Sequence, residues 1–217
     1  MTFHADEPHR SWVHYNTSII TTIITNEDLD GPNRTALPCW AHKHGIRVVY
    51  MGFGDNPKDR HVALLHNTTY REEWLQAGLS WVEKYPWVDG VNIDLERFST
   101  NESTRNASAL TSLICAAQAA LHAKSLRLHS QDVAVVGSYN DFDVRALSRC
   151  MDFLLPMAYC SPKSTTVAGP TIRLDSLRTD FSSGGGWAGV ERRKIILGLP
   201  FCEMVMLSRS VALPISR

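Results

Sequence analysis

The 217-residue sequence has no surplus of charge of either sign: 22 Lys and Arg balance 22 Asp and Glu. A chain of zero formal charge carries no global field to hold nucleic acid or an anionic membrane, so neither is an expected partner. No apolar run approaches the ~18–20 residues of a membrane-spanning helix. The start, residues 1–7 (MTFHADE), lacks the basic and apolar stretches of a signal peptide. None of the five cysteines (Cys39, Cys115, Cys150, Cys160, Cys202) forms a Cys-x-x-Cys pair, which disfavours a zinc ribbon or a thioredoxin-type centre. One or two disulfides with a leftover thiol fit that count, and so do five reduced thiols. Gly52-Phe53-Gly54 lacks the third glycine and the lysine of a phosphate loop. His42 and His44 stand i, i+2 on a helix and face apart, so they read as helix-end groups and not as metal ligands. None of these features argues for a metal or an organic cofactor.

What remains is ordinary globular material, 44% hydrophobic and 20% charged, with no linker to divide it. One feature is over-represented. Five of the nine asparagines lie in Asn-x-Ser/Thr sequons: Asn16, Asn33, Asn67, Asn101 and Asn106. That density points to a glycoprotein lineage of the secretory pathway.

Apolar, β-rich runs alternate with helical patterns. Residues 19–25, 47–51, 90–96, 132–137, 153–159 and 194–200 read as strands, with 3–5 as a remnant of a further one. Residues 35–44, 70–85, 107–123, 142–148 and 171–181 read as helices. Such alternation implies parallel βα units. A doubly wound sheet and a (β/α)8 barrel both satisfy it.

The segment Asp89-Gly90-Val91-Asn92-Ile93-Asp94-Leu95-Glu96 is where chemistry enters. On a strand, Val91, Ile93 and Leu95 share an apolar face, and Asn92, Asp94 and Glu96 share the other. Carboxylates lined up inside a sheet are costly unless hydrogen-bonded or functional. An ionised Asp94 disfavours ionisation of Glu96 and keeps it ready as a general acid. Glu96 falls at the carboxyl end of its strand, where parallel α/β folds keep catalytic groups. The plainer reading is a solvated strand end or ion pairs with arginines.

These residues resemble the D-G-x-x-x-D-x-E signature of glycoside hydrolase family 18, the chitinase family. Flanking segments are similar to that family in order: residues 39–49 (CWAHKHGIRVV), 150–159 (CMDFLLPMAY) and 196–201 (ILGLPF), with 12–22 more weakly. The likeness runs from about residue 12 to 201. It implies a (β/α)8 TIM barrel hydrolysing β-1,4-linked N-acetylglucosamine, as in a chitobiose core or chitooligosaccharides, by a substrate-assisted retaining route. Glu96 would protonate the glycosidic oxygen. The substrate's own acetamido oxygen would attack the anomeric carbon. Asp94 would orient the acetamido group and stabilise its positive charge. Tyr159 of Met157-x-Tyr would hydrogen-bond the acetamido oxygen. Asp89, Asn92 and Met157 would support them. The implied partner is an N-acetylglucosamine-containing oligosaccharide.

Three departures bear on activity. Cys160 stands where the family has Asp after the Met-x-Tyr tyrosine. Residues 202–217 (CEMVMLSRSVALPISR) do not resemble the family's continuation, which carries a tryptophan floor for the sugar. The first strand is short. The expectation is therefore residues 1–217 as a single, partial catalytic domain with a divergent 202–217 tail, its barrel incomplete at the first strand and the last βα unit. The alternatives are a non-catalytic chitooligosaccharide-binding protein and an inactive truncated isoform.

Overall fold

The computed structural model describes residues 2–4, 11–26, 35–53, 61–95, 103–124, 128–134, 142–159 and 172–199. Along the chain run β1 (Thr2–His4), β2 (Thr22–Thr25), α1 (Ala36–Lys43), β3 (Arg47–Met51), α2 (His61–His66), α3 (Thr68–Lys84), β4 (Gly90–Ile93), α4 (Ser103–Ala123), β5 (Leu128–Ala134), α5 (Val144–Cys150), β6 (Phe153–Met157) and α6 (Leu174–Asp180). The six strands form one parallel sheet in the order β1-β2-β3-β4-β5-β6. A doubly wound sheet reverses strand order at a switch point. Here order never reverses, so the alternation resolves as a barrel-type wall.

The wall has an inner and an outer face, as a two-residue period dictates. Ile24 of β2, Val49 of β3 and Leu155 of β6 pack together on the inner face, with Met51, Phe153 and Ile196 against them. Outside, Ile23 and Val48 meet Leu37 and Ala41 of α1 beneath Trp12. Val91, Ile93, Val133 and Leu154 meet Trp74 and Val82 of α3, Leu110, Leu113, Ile114 and Leu121 of α4, and Leu147 of α5.

Local chemistry sets the helix ends. Asn67 caps α3, its side-chain oxygen accepting from the Tyr70 amide at 3.1 Å. Asp143 caps α5 by accepting from the Ala146 amide at 2.9 Å. The Lys194 ammonium closes the other end of α5, donating to the Ser148 and Met151 carbonyls at 2.7 and 2.9 Å. Gly45 takes φ +70° just beyond α1, a conformation that turns the chain into β3. A disulfide joins Cys115 on α4 to Cys150 at the end of α5, and Cys39 is a free, exposed thiol.

The elements differ from the sequence reading in several places; α4, for one, starts at Ser103, four residues before the expected start. Strand β2 starts at Thr22 and not at residue 19. Asn16 instead folds residues 16–20 into a turn: its side-chain oxygen accepts from the Ser18 amide and hydroxyl, and its carbonyl from the Ile19 and Ile20 amides. Helix α2 is additional. Strand β5 starts at Leu128, four residues before the expected start, because β4 and β6 pair with it in register despite its polar composition. Lastly, residues 194–199 run parallel to β6 through two isolated bridges, Leu154↔Ile195 and Met157↔Gly198. Ile196 and Gly198 donate to the Leu154 and Pro156 carbonyls, and Ala158 donates back to Gly198. The missing rung is the amide that Pro156 does not have. At the other side, the expected remnant strand is formed: β1 pairs with β2 over three residues.

Candidate active site

Strand β4 builds the site from its floor upward. Its residues are all buried, and Asn92, fully enclosed, faces inward while Val91 and Ile93 join the outer core. Asn92 is paired in register with Met51 of β3 and Ser130 of β5. The Ser130 hydroxyl donates to Asn92 Oδ1 at 2.5 Å, and Asn92 Nδ2 donates to Asp132 Oδ2 at 2.9 Å. Ser130 and Asp132 are only 3% and 2% exposed. An enclosed amide must place both its ends, and here both are placed by one neighbouring strand.

Asp94 lies one inward step above Asn92 and is half-buried. The last paired residues are Ile93 and Gln131, so the same register sets Asp94 beside Asp132, on strands roughly 4.8 Å apart. Asp94 lines a cavity of about 260 Å³ with Asn26, Met51, Gly52, Phe53, Trp74, Ile93 and Leu95. The cavity sits at the carboxyl ends of β2, β3 and β4, the end where parallel barrels carry their chemistry. Its wall depends on glycine. At Gly78 of α3 an added Cβ would meet the Phe53 ring at 2.4 Å, so the absence of a side chain lets Phe53 lie against the helix, edge-on to Trp74 with ring centroids 4.7 Å apart. Gly52, at φ +138°, donates its amide to the Asn92 carbonyl at 3.0 Å. That amide is used in the sheet.

Tyr159 follows β6 by two residues and is half-buried. It packs over Gly198, where an added Cβ would come within 3.3 Å of its ring. Met157 ends β6, paired with Ala134 and bridged to Gly198. Glu96 follows directly on Leu95 and lies outside the described residues, as do Cys160, residues 202–217, Asn33 and Asn101.

Two expected roles need correction. Asp89 is not at the site. It precedes β4 at the amino end, five residues or roughly 16 Å of extended chain from Asp94. There its carboxylate accepts from the Val48 amide at 2.7 Å and pairs with His42 Nε2 at 2.8 Å. It fastens β4 to β3 and α1, because an acid at a strand's start meets the neighbouring strand's first amides. Asn106 is not an open glycan acceptor. It is fully enclosed on α4, and its Oδ1 is 2.8 Å from His66 Nε2. Asn16 and Asn67 are both exposed.

The sequence reading missed Ser130 and Asp132. Their signal was present: two polar residues at a two-residue spacing, with Val133 on the other face. A strand started at residue 132 hides that alternation. Trp81 stacks on Tyr50 at 4.1 Å, and Trp74 packs in the core and also borders the cavity. Among the described residues no group of three or more His, Cys, Asp or Glu could hold a metal ion, and no helix is long and apolar enough to cross a membrane.

A parallel β/α wall with an acidic group at the carboxyl end of its fourth strand is an arrangement that solved chitinase-type structures share. The solved structures agree on the fold. The chain aligns with a chitinase from Chromobacterium violaceum at TM-score 0.71 and 16% identity, covering 92% of this chain and 68% of that one. It aligns with a chitinase-like agglutinin from Robinia pseudoacacia at 0.70 and 18% (92% and 69%). A class V chitinase from Nicotiana tobaccum, solved in complex with NAG4 as a mutant, aligns at 0.69 and 14% (92% and 66%). In sequence, 106 residues are 32% identical to di-N-acetylchitobiase of Bos taurus, over 49% of this chain and 54% of that protein. The match thus spans about half the length of that curated relative. No family model matches. The signature, this relative and these neighbours support an assignment to glycoside hydrolase family 18, the chitinase family.

Proposed function

We propose that the protein is a glycosidase that cleaves β-1,4-linked N-acetylglucosamine, as in the chitobiose core or chitooligosaccharides, by substrate-assisted hydrolysis with retention. The observation that carries this reading is Asp94: a half-buried carboxylate in a cavity at the carboxyl end of β4, above an enclosed polar floor, within an intact D-G-x-x-x-D-x-E signature. Glu96 is assigned as the general acid on the leaving oxygen. The acetamido oxygen attacks the anomeric carbon as that bond breaks, giving an oxazolinium ion that water opens. Asp94 holds the acetamido N–H and offsets the positive charge formed on the ring. Tyr159, seated on Gly198, is assigned to the acetamido oxygen. The sequon density and the disulfide support a lysosomal or secretory setting, since disulfides persist in oxidising compartments.

The test is turnover of a fluorogenic di-N-acetylchitobioside near pH 4–6, the range in which a coupled carboxyl pair titrates. Glu96→Gln is expected to abolish turnover while leaving the melting temperature in place. Asp94→Asn is expected to lower kcat by roughly 10²–10³-fold, the scale for losing one preorganised electrostatic group. Equal rates in wild type and Glu96→Gln would overturn the assignment. The second reading, a non-catalytic chitooligosaccharide-binding protein, is favoured by one observation: an agglutinin shares the fold. Saturable binding of the sugar by a folded wild type that gives no turnover would establish it.

A further inference from the structure

We propose that Asp132 is a positioning residue of this site: from β5 it supplies a buried carboxylate to the floor beneath Asp94 and fixes the amide of Asn92. The inference rests on the glycosidase reading above. The inward residues of β4 read Asn92 then Asp94, so the lower of the two is a neutral amide. The adjacent strand carries the complement at the same two levels, Ser130 then Asp132. Asn92 Oδ1 accepts from Ser130 and Asn92 Nδ2 donates to Asp132, with all three residues enclosed. This chain of bonds leaves Asn92 one orientation, with its donor end toward the level of Asp94. The proposed reaction gives a reason for the carboxylate. Enclosing an ionisable group is costly when an amide of the same shape would accept the same bond. A negative charge beside Asp94 has a use in the proposed reaction, in which positive charge develops on the acetamido group assigned to Asp94. Such a charge acts in the transition state and not on the uncharged substrate, so its loss falls on kcat and spares KM.

The experiment exchanges the two groups. Asp132→Asn keeps the shape and an acceptor for Asn92 but removes the charge. The double variant Asn92→Asp with Asp132→Asn returns the charge one strand away and preserves the bonds, with Ser130 and the new amide both donating to the new carboxylate. Kinetics on the di-N-acetylchitobioside and a thermal melt are recorded for each, beside wild type and Glu96→Gln. Asp132→Asn is expected to lower kcat by roughly 10–100-fold with KM changed less than about two-fold, and the exchanged pair to recover most of that loss. Wild-type kcat in Asp132→Asn overturns the proposal while leaving the glycosidase reading intact. Should Asp132→Asn melt at room temperature, the exchanged pair decides: a folded pair with kcat at the level of the wild type supports the proposal, and one that folds without turnover overturns it. Absence of turnover in wild type overturns the parent reading, and this one with it.

Discussion

Asn92 shows how much one buried side chain determines. With no exposure, it can exist only if both ends of its amide are bonded, and Ser130 and Asp132 bond them. The shared face of Asn92 and Asp94 was legible in the sequence because strand period is local. The partners of Asn92 were not legible, because they come from a strand 38 and 40 residues away. The same limit applies to the sequons. A sequon is three residues long, yet whether its asparagine can carry a glycan depends on packing. Asn106 is sealed against His66, so site-by-site mass spectrometry of protein from a secreting host should find glycan at Asn16 and Asn67 and none at Asn106. Asn106→Ala should cost about 1–3 kcal/mol, because it leaves the His66 nitrogen without that bond. An unchanged urea midpoint would contradict this.

Elements were read best where one periodicity dominates. β3 was expected at residues 47–51 and is Arg47–Met51, and α1 and α3 moved by one or two residues at their ends. Reading failed where a distant contact decides: Pro156 breaks the ladder toward residues 194–199, and β4 and β6 extend β5. Three expectations belong to this scale. Gly78→Val should destabilise the fold by about 2 kcal/mol or more, since a branched side chain on α3 collides with the buried Phe53 ring; a melt equal to wild type would contradict it. The Cys115–Cys150 bridge closes a loop of sequence separation 35, so Cys150→Ser should cost roughly 3–4 kcal/mol in denaturant melts under oxidising conditions. At α6, hydrogen bonds from the Arg173 guanidinium hold the Asp175 carboxyl down to about 2. A depressed carboxylate contributes stability above its ordinary value of 3.8 and loses it as pH falls through about 2. Both groups are solvent-exposed, so Arg173→Ala should change the melt slightly at pH 6 and not at all below pH 2.

At the scale of the molecule, the sequential parallel order separates a barrel wall from a doubly wound sheet, a choice that periodicity left open. Strand order is a property of long-range pairing, and alternation of βα units is blind to it. The resemblance to the chitinase signature implied a barrel, and the strand order agrees with a barrel wall. The described residues bring Asp94, Asn92, Ser130 and Asp132 together at adjoining levels of β4 and β5, and remove Asp89 to the opposite end. The central claim joins this fold to one reaction, in which the substrate's own acetamido group is the nucleophile. The most direct measurement compares two fluorogenic disaccharides on the same folded protein, one a di-N-acetylchitobioside and the other a cellobioside, which has hydroxyls in place of the acetamido groups. The account predicts release of the fluorophore from the first and none above background from the second. Equal release from both, or release from the cellobioside alone, would contradict it.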